Sequence, residues 1–574
     1  MAIIGIDLGT TNSLAAVWRD GKSELIPNAL GEYLTPSVVS MDDDGSILVG
    51  QAAKERLVSH PECTVGGFKR HMGGKKRIWL GERSFLPEEL SSFVLRRLRQ
   101  DAEAYLGEPV TEAVVSVPAY FAEAQRAATK RAAALAGLKV ERLVNEPSAA
   151  ALSGAIGKDY EDKVCLVFDL GGGTLDVSLV EQFENVVSVT AVSGINRLGG
   201  RDFDAAIVKG FCADCGIDME ALSVRQMEML LRQAEQCKIA LSSADPVVLA
   251  VDDGELRASG SLTNEWMIRE CAELFRRMTE PIRRVFADAG ISPRELDELV
   301  MVGGSSYMPS VRRYISRFVK KEPFHGGSPD TAVALGAGIC AGMKARENDL
   351  KELVLTDVCP FTLGVNVLNR NDAARPLMSP IIERNSVLPT SKMGIYETVS
   401  DGQTRMVFQI YQGEERYCAD NTLLGKMTLE VPPAPAGRQS ARVRFTYDIN
   451  GLLEAEAVNE LGESARLLIQ NGEMDEDEVQ QRLKELETLK MHPRDREESR
   501  ALIARGERLY AMTVGGLRGQ IGRALDWYQS ELESQEPLRI AKASRRLDAL
   551  FDRAEAWVGD VSFDEDWPEE DDEI

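Results

Sequence analysis

Two segments of the chain repeat one pattern: an apolar strand ending in aspartate, a Gly/Thr turn, then a second strand. They read Ile3-Ile-Gly-Ile-Asp7-Leu-Gly9-Thr10-Thr11-Asn12-Ser13-Leu14 and Leu166-Val-Phe-Asp169-Leu-Gly171-Gly172-Gly173-Thr174-Leu-Asp176-Val177. A carboxylate at the end of a buried strand is costly unless its charge meets a cation or strong donors. Two of them suggest one cation shared between two lobes. Glycines let backbone N–H groups approach an anion closely and threonine hydroxyls add donors, so each hairpin can hold part of a polyphosphate. A single hairpin of this kind would read as an ordinary Gly-rich β-turn; the duplication argues for a clamp. Neither a Gly-x4-Gly-Lys-Ser/Thr loop nor a dinucleotide fingerprint occurs. A third strand, Glu298-Leu-Val-Met-Val-Gly303-Gly304-Ser305-Ser306-Tyr307, ends in glycines with no carboxylate following, which suits packing against a flat nucleoside.

These hairpins need a frame. At 574 residues the chain is long enough for about three to five domains. The first 350 residues alternate apolar strand-like runs with helical stretches, the pattern of an α/β domain. From Val358 to Ile469 the signal becomes period-two alternation with hairpin turns, as in Arg405–Gln409 and Ala441–Tyr447 with Asn450-Gly451 as a turn, so a β domain is expected. From Asp475 to Val558 the spacing of Val479, Leu483, Leu486 and Leu489 predicts helices. The expected division is 1–350, a linker at 351–357, 358–472, 473–558, and an acidic tail at 559–574 that cannot bury a core. Leu350 to Pro360 is apolar, where a Gly/Ser-rich linker would be expected if the domains only swung apart. It therefore either wants a groove or forms an edge strand of the β domain.

Composition excludes some functions. Apolar residues make up 44% and charged residues 28%, as in soluble globular proteins. A net charge of −24 argues against general affinity for nucleic acid or anionic membrane. Nine acidic residues and no basic one fall between Asp560 and Ile574. The N-terminal segment lacks the basic region of a signal peptide, and no apolar run reaches the roughly 18–20 residues needed to span a bilayer. Nine cysteines, scattered and odd in number, suit a reducing compartment, so a cytoplasmic protein is expected. Cys212 and Cys215 have no second pair, and His60, His71, His325 and His492 lie far apart, so no redox or metal role is expected of them.

Further stretches narrow the choice. Thr111-Glu-Ala-Val-Val-Ser-Val-Pro118-Ala-Tyr120-Phe121, Arg142-Leu-Val-Asn145-Glu146-Pro147, Leu198-Gly199-Gly200-Arg201-Asp202-Phe-Asp204 and Ser328-Pro-Asp330-Thr-Ala closely resemble the seventy-kilodalton heat-shock chaperone family. That family shares its hairpins with actin and sugar kinases. The resemblance runs from Met1 through the linker and the β part and weakens in the helical part. The reduced length and Thr356-Asp357-Val358-Cys359-Pro360-Phe361 resemble its HscC-like bacterial branch. The implied fold is multidomain: an α/β actin-like two-lobed ATPase domain, then a β-sandwich peptide-binding domain and an α-helical lid.

The resemblance also implies roles. Asp7, Glu146 and Asp169 would hold magnesium through its waters. Gly9, Thr10, Thr11, Asn12, Gly171, Gly172, Gly173, Gly199 and Gly200 would form the phosphate side of the ATP/ADP site. Lys69, in Gly66-Gly-Phe-Lys69-Arg70, matches the catalytic lysine that positions the attacking water; taken alone it would be a solvated surface lysine. Thr174 and Asp176 would stand beside that water and a potassium ion. Glu235, Lys238 and Ser242 fall at helical spacing and can face one side of a nucleoside, with Gly303, Gly304, Ser305, Tyr307 and Asp330 completing the match. Two residues depart from the family: Tyr307 stands where an arginine usually stacks on adenine, and Arg201 replaces a usual acid. The segment between Leu241 and Met278 is shorter than usual, so dependence on a nucleotide exchange factor is not expected.

In the β part the implied peptide pocket is Val365, Val367, Leu368, Met406 and Phe408, with Leu368 and Val399 near a bridge over the peptide. Alternation puts Met406 and Phe408 on one face; without the resemblance these are core residues of a sandwich. The linker residues Leu353, Leu355 and Asp357 would dock between the lobes in the ATP state, and Thr356 in place of a usual leucine should weaken that docking. Pro118, Arg126 and Lys130 match residues of the interdomain relay. Arg142, Asn145 and Asp357 match the contact zone of a J-domain co-chaperone. The expectation is a monomeric ATP-dependent chaperone that cycles on extended hydrophobic peptides. One rival is a nucleotide-gated binding protein with negligible hydrolysis that sequesters a partner. Another is a small-molecule kinase of the same clamp fold, which would have no use for the β and helical parts.

Overall fold

In the computed structural model the two hairpins open two sheets of matching topology. The structure describes residues 2–155, 163–183, 186–324, 328–351, 353–449, 451–469, 494, 497–534 and 537–559. Asn450, the helix positions Val479, Leu483, Leu486 and Leu489, His325, His492 and the acidic tail from Asp560 lie outside the described residues. In the first sheet β1 (Ile3–Asp7) runs antiparallel to β2 (Asn12–Arg19), which pairs with β3 (Lys22–Ile26). On its other side β1 runs parallel to β4 (Glu112–Val117), followed by β5 (Leu143–Asn145). In the second, β6 (Lys163–Leu170) runs antiparallel to β7 (Leu175–Phe183), which pairs with β8 (Val186–Ile195), and β6 is parallel to β9 (Glu298–Val302). Most residues of these strands are buried, as expected for sheets covered by helices.

The helices that matter to the site are α1 (Glu123–Leu135), α2 (Glu146–Ala155), α3 (Gly200–Cys215), α4 (Val224–Ala240), α5 (Ala272–Ala289) and α6 (Ala332–Lys344). Glycine in a helix interior costs about 1 kcal/mol relative to alanine, yet α6 carries three. The cost is tolerated because α6 touches backbone: a methyl on Gly336 would overlap the main chain of Ala149 in α2, and one on Gly5 of β1 would overlap that of Ala337.

The segment after α6 forms β10 (Val354–Val358). Beyond it come β11 (Leu363–Val367), β12 (Leu377–Ile382), β13 (Val387–Leu388), β14 (Thr390–Glu397), β15 (Arg405–Gln412), β16 (Thr422–Glu430), β17 (Ser440–Tyr447), β18 (Leu453–Asn459) and β19 (Ser464–Ile469). They form two sheets, ordered β12-β11-β15-β16 and β14-β17-β18-β19, around Val365, Ile382, Phe408, Ile410, Val443 and Phe445. The linker strand serves both parts. Val354, Leu355 and Thr356 pair in parallel with Val186, Val187 and Ser188 of β8, while Asp357 and Val358 pair with Leu388 and Val387 of β13. The apolar segment is thus a strand shared between the two parts.

By contacts the chain divides into two compact units, one of residues 1–388 and 393–474, the other of residues 389–392 and 475–574. In the second, α7 (Glu497–Met512), α8 (Gly515–Ser534) and α9 (Pro537–Gly559) pack around Leu509, Ile521, Tyr528, Leu532, Leu547 and Phe551. None of the described helices is long and apolar enough to cross a membrane.

Candidate functional site

The two Gly/Thr turns meet face to face. Gly172 lies so close to Thr11 and Gly173 so close to Thr10 that a methyl on either glycine would overlap the threonine. The first turn is braced from below: Gly9 N–H donates to Ser13 Oγ (3.1 Å), and Ser37 Oγ donates to Gly9 O (2.8 Å). In the second, Gly171 N–H donates to Thr174 O (3.1 Å). Helix α3 begins against this turn. Gly200 N–H donates to Gly171 O (3.0 Å), Arg201 N–H donates to Gly172 O (3.0 Å), and Asp202 caps the helix by accepting Gly199 N–H (2.8 Å).

Between the turns and the helices lies a cavity of about 440 Å³. Asp7, Gly9, Thr10, Thr11, Asn12, Lys69, Glu146, Asp169, Gly171, Gly172, Thr174, Gly200, Glu235, Lys238, Ser242, Gly303, Gly304, Ser305, Tyr307 and Asp330 all line it. Gly173, Gly199 and Asp176 do not line it but stand directly behind: Gly199 packs on Gly172 and Gly173, and Asp176 accepts Tyr120 N–H (3.1 Å). Gly303 has a further task. Its φ of 83° places it in the left-handed region, and a methyl there would overlap the Leu170 carbonyl and the Asp169 carboxylate. Its glycine is therefore set by the end of β6 as much as by any ligand.

The electrostatics are those of a site built for a cation. Lys69 is 4% exposed, follows the left-handed Gly67 in a single helical turn, and bonds Glu146 Oε1 through Nζ at 2.8 Å. Its ammonium lies 5.6 Å from the centre of the Phe121 ring. Burial, then the nearby Glu146 charge, push Asp7 up to about 7 although Lys69 and the Ser116 hydroxyl (2.9 Å) pull it down. Asp169 is raised well above the carboxylate range by burial and by Glu146, Asp176 and Asp7. Asp176 is pushed up to about 7, again by burial first and Glu146 second. Four clustered acids with one lysine repel one another until a further cation arrives. Among the described residues no three His, Cys, Asp or Glu side chains stand close enough to ligate a metal directly. Clustered carboxylate acceptors beside a phosphate-sized cavity are chemically suited to a magnesium ion that keeps its waters.

On the far wall, α4 starts at a Ser223/Gln226 capping box and presents Glu235 and Lys238, with Ser242 just past its last turn. Lys238 Nζ pairs with Asp204 (2.7 Å) and donates to Gly200 O (3.0 Å). Burial pushes Asp204 up to about 6 against the pull of Lys238. Ser305 Oγ donates to Gly171 O (2.9 Å), and the Tyr307 hydroxyl pairs with Ser328 Oγ (2.9 Å), holding the ring at the mouth. Sequence reasoning missed three residues here. Arg70 donates to Gly173 O (3.1 Å) and pairs with Asp202, tying the Lys69 turn to the second hairpin, while Asp204 anchors Lys238. Only their nearness to Lys69 and Gly200 in sequence could have signalled them.

A family model described as Hsp70 protein matches residues 3–79 and 75–555. The chain belongs to the Hsp70 family. Hsp70 proteins are ATP-dependent chaperones that bind ATP or ADP with magnesium and work on peptides with J-domain co-chaperones. The β part of this Hsp70 chain holds a second concavity, of about 780 Å³, lined by Val367, Leu368, Val399, Met406 and Phe408. Val365 is not among its walls: fully buried, it points into the sandwich core, where alternation puts it opposite to Asn366. Tyr396, which the sequence reading omitted, also lines the groove, its ring 5.8 Å from that of Phe408.

Around the linker, Asp357 accepts Ser148 Oγ (3.1 Å), and Leu353 and Leu355 pack on the core shared by α2 and α6. Arg126 donates to Asn145 Oδ1 (2.5 Å) and to Phe121 O (3.2 Å), in a cleft it shares with Asp357, Val358 and Tyr447. Pro118 O accepts Phe121 N–H (3.1 Å), and Lys130 on α1 acts electrostatically on Glu123. Arg142 is half-buried. Thr356 is not the pure loss expected of a hydroxyl in an apolar position, because its Oγ1 donates to Ser188 Oγ at 2.8 Å.

Proposed function

We propose that this Hsp70 chain binds magnesium ATP in the 440 Å³ cavity and hydrolyses it to drive cycles of binding and release of extended apolar peptide segments in the 780 Å³ groove. The observation that carries the reading is the buried Lys69–Glu146 pair set among Asp7, Asp169 and the two facing Gly/Thr turns. Backbone N–H groups and threonine hydroxyls would hold the phosphates. Lys69 orients the attacking water and offsets the charge that develops on the γ-phosphate. Magnesium, when bound, neutralises phosphate charge. Asp7, Glu146 and Asp169 would accept from its waters, and Asp176 and Thr174 would stand beside the attacking water and a potassium ion. Arg142, Asn145 and Asp357 would meet a J-domain protein, acting on a monomeric cytoplasmic chaperone of the HscC-like branch.

The test is single-turnover ATP hydrolysis by the full chain and a Lys69→Ala variant, with and without a J-domain protein and an extended peptide. Wild type should turn over slowly and be stimulated by both. The variant should bind ATP yet hydrolyse it about a hundredfold more slowly, the usual loss on removing one transition-state contact. Hydrolysis by the variant at the wild-type rate would refute the site assignment. ATP binding by wild type without turnover would favour a passive, sequestering binder.

A further inference from the structure

The cavity read above as a nucleotide site is lined by six carboxylates and only three cations, Lys69, Lys238 and Arg201. A polyphosphate cannot enter such a place without positive charge to meet it. Two of the three cations are already engaged, Lys69 by Glu146 at 2.8 Å and Lys238 by Asp204 at 2.7 Å. Each of these lysines must go on neutralising its buried carboxylate while it serves a phosphate, so neither brings a full uncompensated charge to the ligand. Arg201 is different. Among the described residues its guanidinium has no hydrogen bond and no ion pair, while its charge still acts on Asp204 and Glu228 from a distance. Its backbone is fixed in the first turn of α3 by the bond to Gly172 O, beside the second Gly/Thr hairpin. Its side chain reaches across to the turn that presents Lys69, lying so close to Gly67 that a methyl there would overlap the guanidinium. The head group thus stands at the phosphate end of the cavity, between one lobe's hairpin and the other lobe's lysine turn.

We propose that Arg201 is a phosphate-binding residue of this site. It is the uncommitted cation that recognises a nucleotide by its di- or triphosphate chain, a role that rests on the nucleotide reading of the cavity. A guanidinium offers donors in a planar fork that matches phosphate oxygens, and such charge-assisted bonds are about twice as strong as neutral ones. Because the arm starts on α3 and ends against Gly67, a phosphate held by it also fastens one lobe to the other. Specificity follows: Arg201 should distinguish nucleotides from nucleosides and leave recognition of the base and sugar untouched.

The experiment is calorimetric titration of the full chain, and of Arg201→Gln and Arg201→Lys variants, with adenosine and with magnesium ADP and ATP. Arg201→Gln should weaken ADP and ATP by about tenfold or more and leave adenosine unchanged, and Arg201→Lys should recover part of the loss. The nucleotide-free melting temperature should be the same in all three proteins. ADP and ATP bound by Arg201→Gln as tightly as by wild type would overturn the proposal. So would a parallel loss of adenosine affinity, which marks a packing defect. A wild-type chain that binds none of the three ligands would overturn the nucleotide reading itself, and the proposal with it.

Discussion

Lys69 shows how far a single residue can be read. Spacing alone could not lift it above a solvated lysine; the motif around it could, and its burial against Glu146 follows from a turn that begins at the left-handed Gly67. The aspartates were legible for a physical reason, since a charge ending an apolar strand demands a partner. Arg70 and Asp204 were not, because their roles lie in long-range bonds that no local pattern encodes, Arg70 reaching across the lobes to Asp202 and Asp204 reaching from α3 to Lys238 on α4. The same acids set a pH dependence. Burial and the nearby Glu146 charge lift Asp7 and Asp176 from the usual carboxylate range to about 7, so between about pH 4 and about pH 7 both hold protons in the nucleotide-free protein that the unfolded chain has lost. Their contribution to stability is therefore fully present below about pH 4 and is lost as pH rises through about 7. Magnesium waters need ionised acceptors, so binding of magnesium ADP should release protons at about pH 6 and none at about pH 8, with affinity rising between them. Calorimetry in two buffers of different ionisation enthalpy measures this, and the absence of proton release at the lower pH would contradict it.

At the scale of elements, the duplicated strand-turn-strand units, the helix spacing of Glu235 and Lys238 and the switch to period-two alternation near Val358 were all visible in the sequence. Strand partners were not. An apolar run such as Val354 to Val358 cannot say which sheet it will join, and here it joins two, β8 through its first three residues and β13 through its last two. Thr356 sits at that change of partner, facing a fully buried Ser188. Ser188→Ala should leave the Thr356 hydroxyl unpaired and cost the docked linker about 1 kcal/mol, roughly a fivefold loss in the docked population. The change to Thr356→Val in that background should then be nearly neutral, because both polar groups are gone. Hydrogen exchange at Leu355 and Thr356 in the four proteins of the cycle reads the coupling, and strictly additive effects would show that the bond contributes nothing.

At the scale of the first unit, the loop after β4 is where the nucleotide cavity and the β sandwich meet. Tyr120 N–H bonds Asp176 while the Tyr120 ring lies 4.5 Å from that of Phe361, and Glu123 at the start of α1 accepts the Tyr447 hydroxyl (3.3 Å). A second tie is ionic. Asp288, in the last turn of α5, accepts two bonds from Arg384 (2.7 and 2.8 Å) and one from Asn385 Nδ2 (2.9 Å), and Asn385 Oδ1 in turn accepts Val192 N–H of β8 (3.0 Å). A carboxylate at a helix C-terminus is unfavourable by itself, so Asp288 gains its place from the β-part residues it holds. Asp288→Ala would leave Arg384 only Glu414 (2.7 Å) and loosen Asn385 from β8. Losing charge-assisted bonds of this kind costs about 1.5–3 kcal/mol, enough to shift a two-state docking equilibrium by about tenfold or more. Asp288 does not line the nucleotide cavity, so ADP affinity should be unchanged while ATP-triggered release of a prebound fluorescent peptide slows by about tenfold. Equal slowing of release with and without ATP would mean that Asp288 acts on the groove itself, and an unaltered ATP-triggered rate would mean that the two parts communicate through the Tyr120 loop and the linker strand without it.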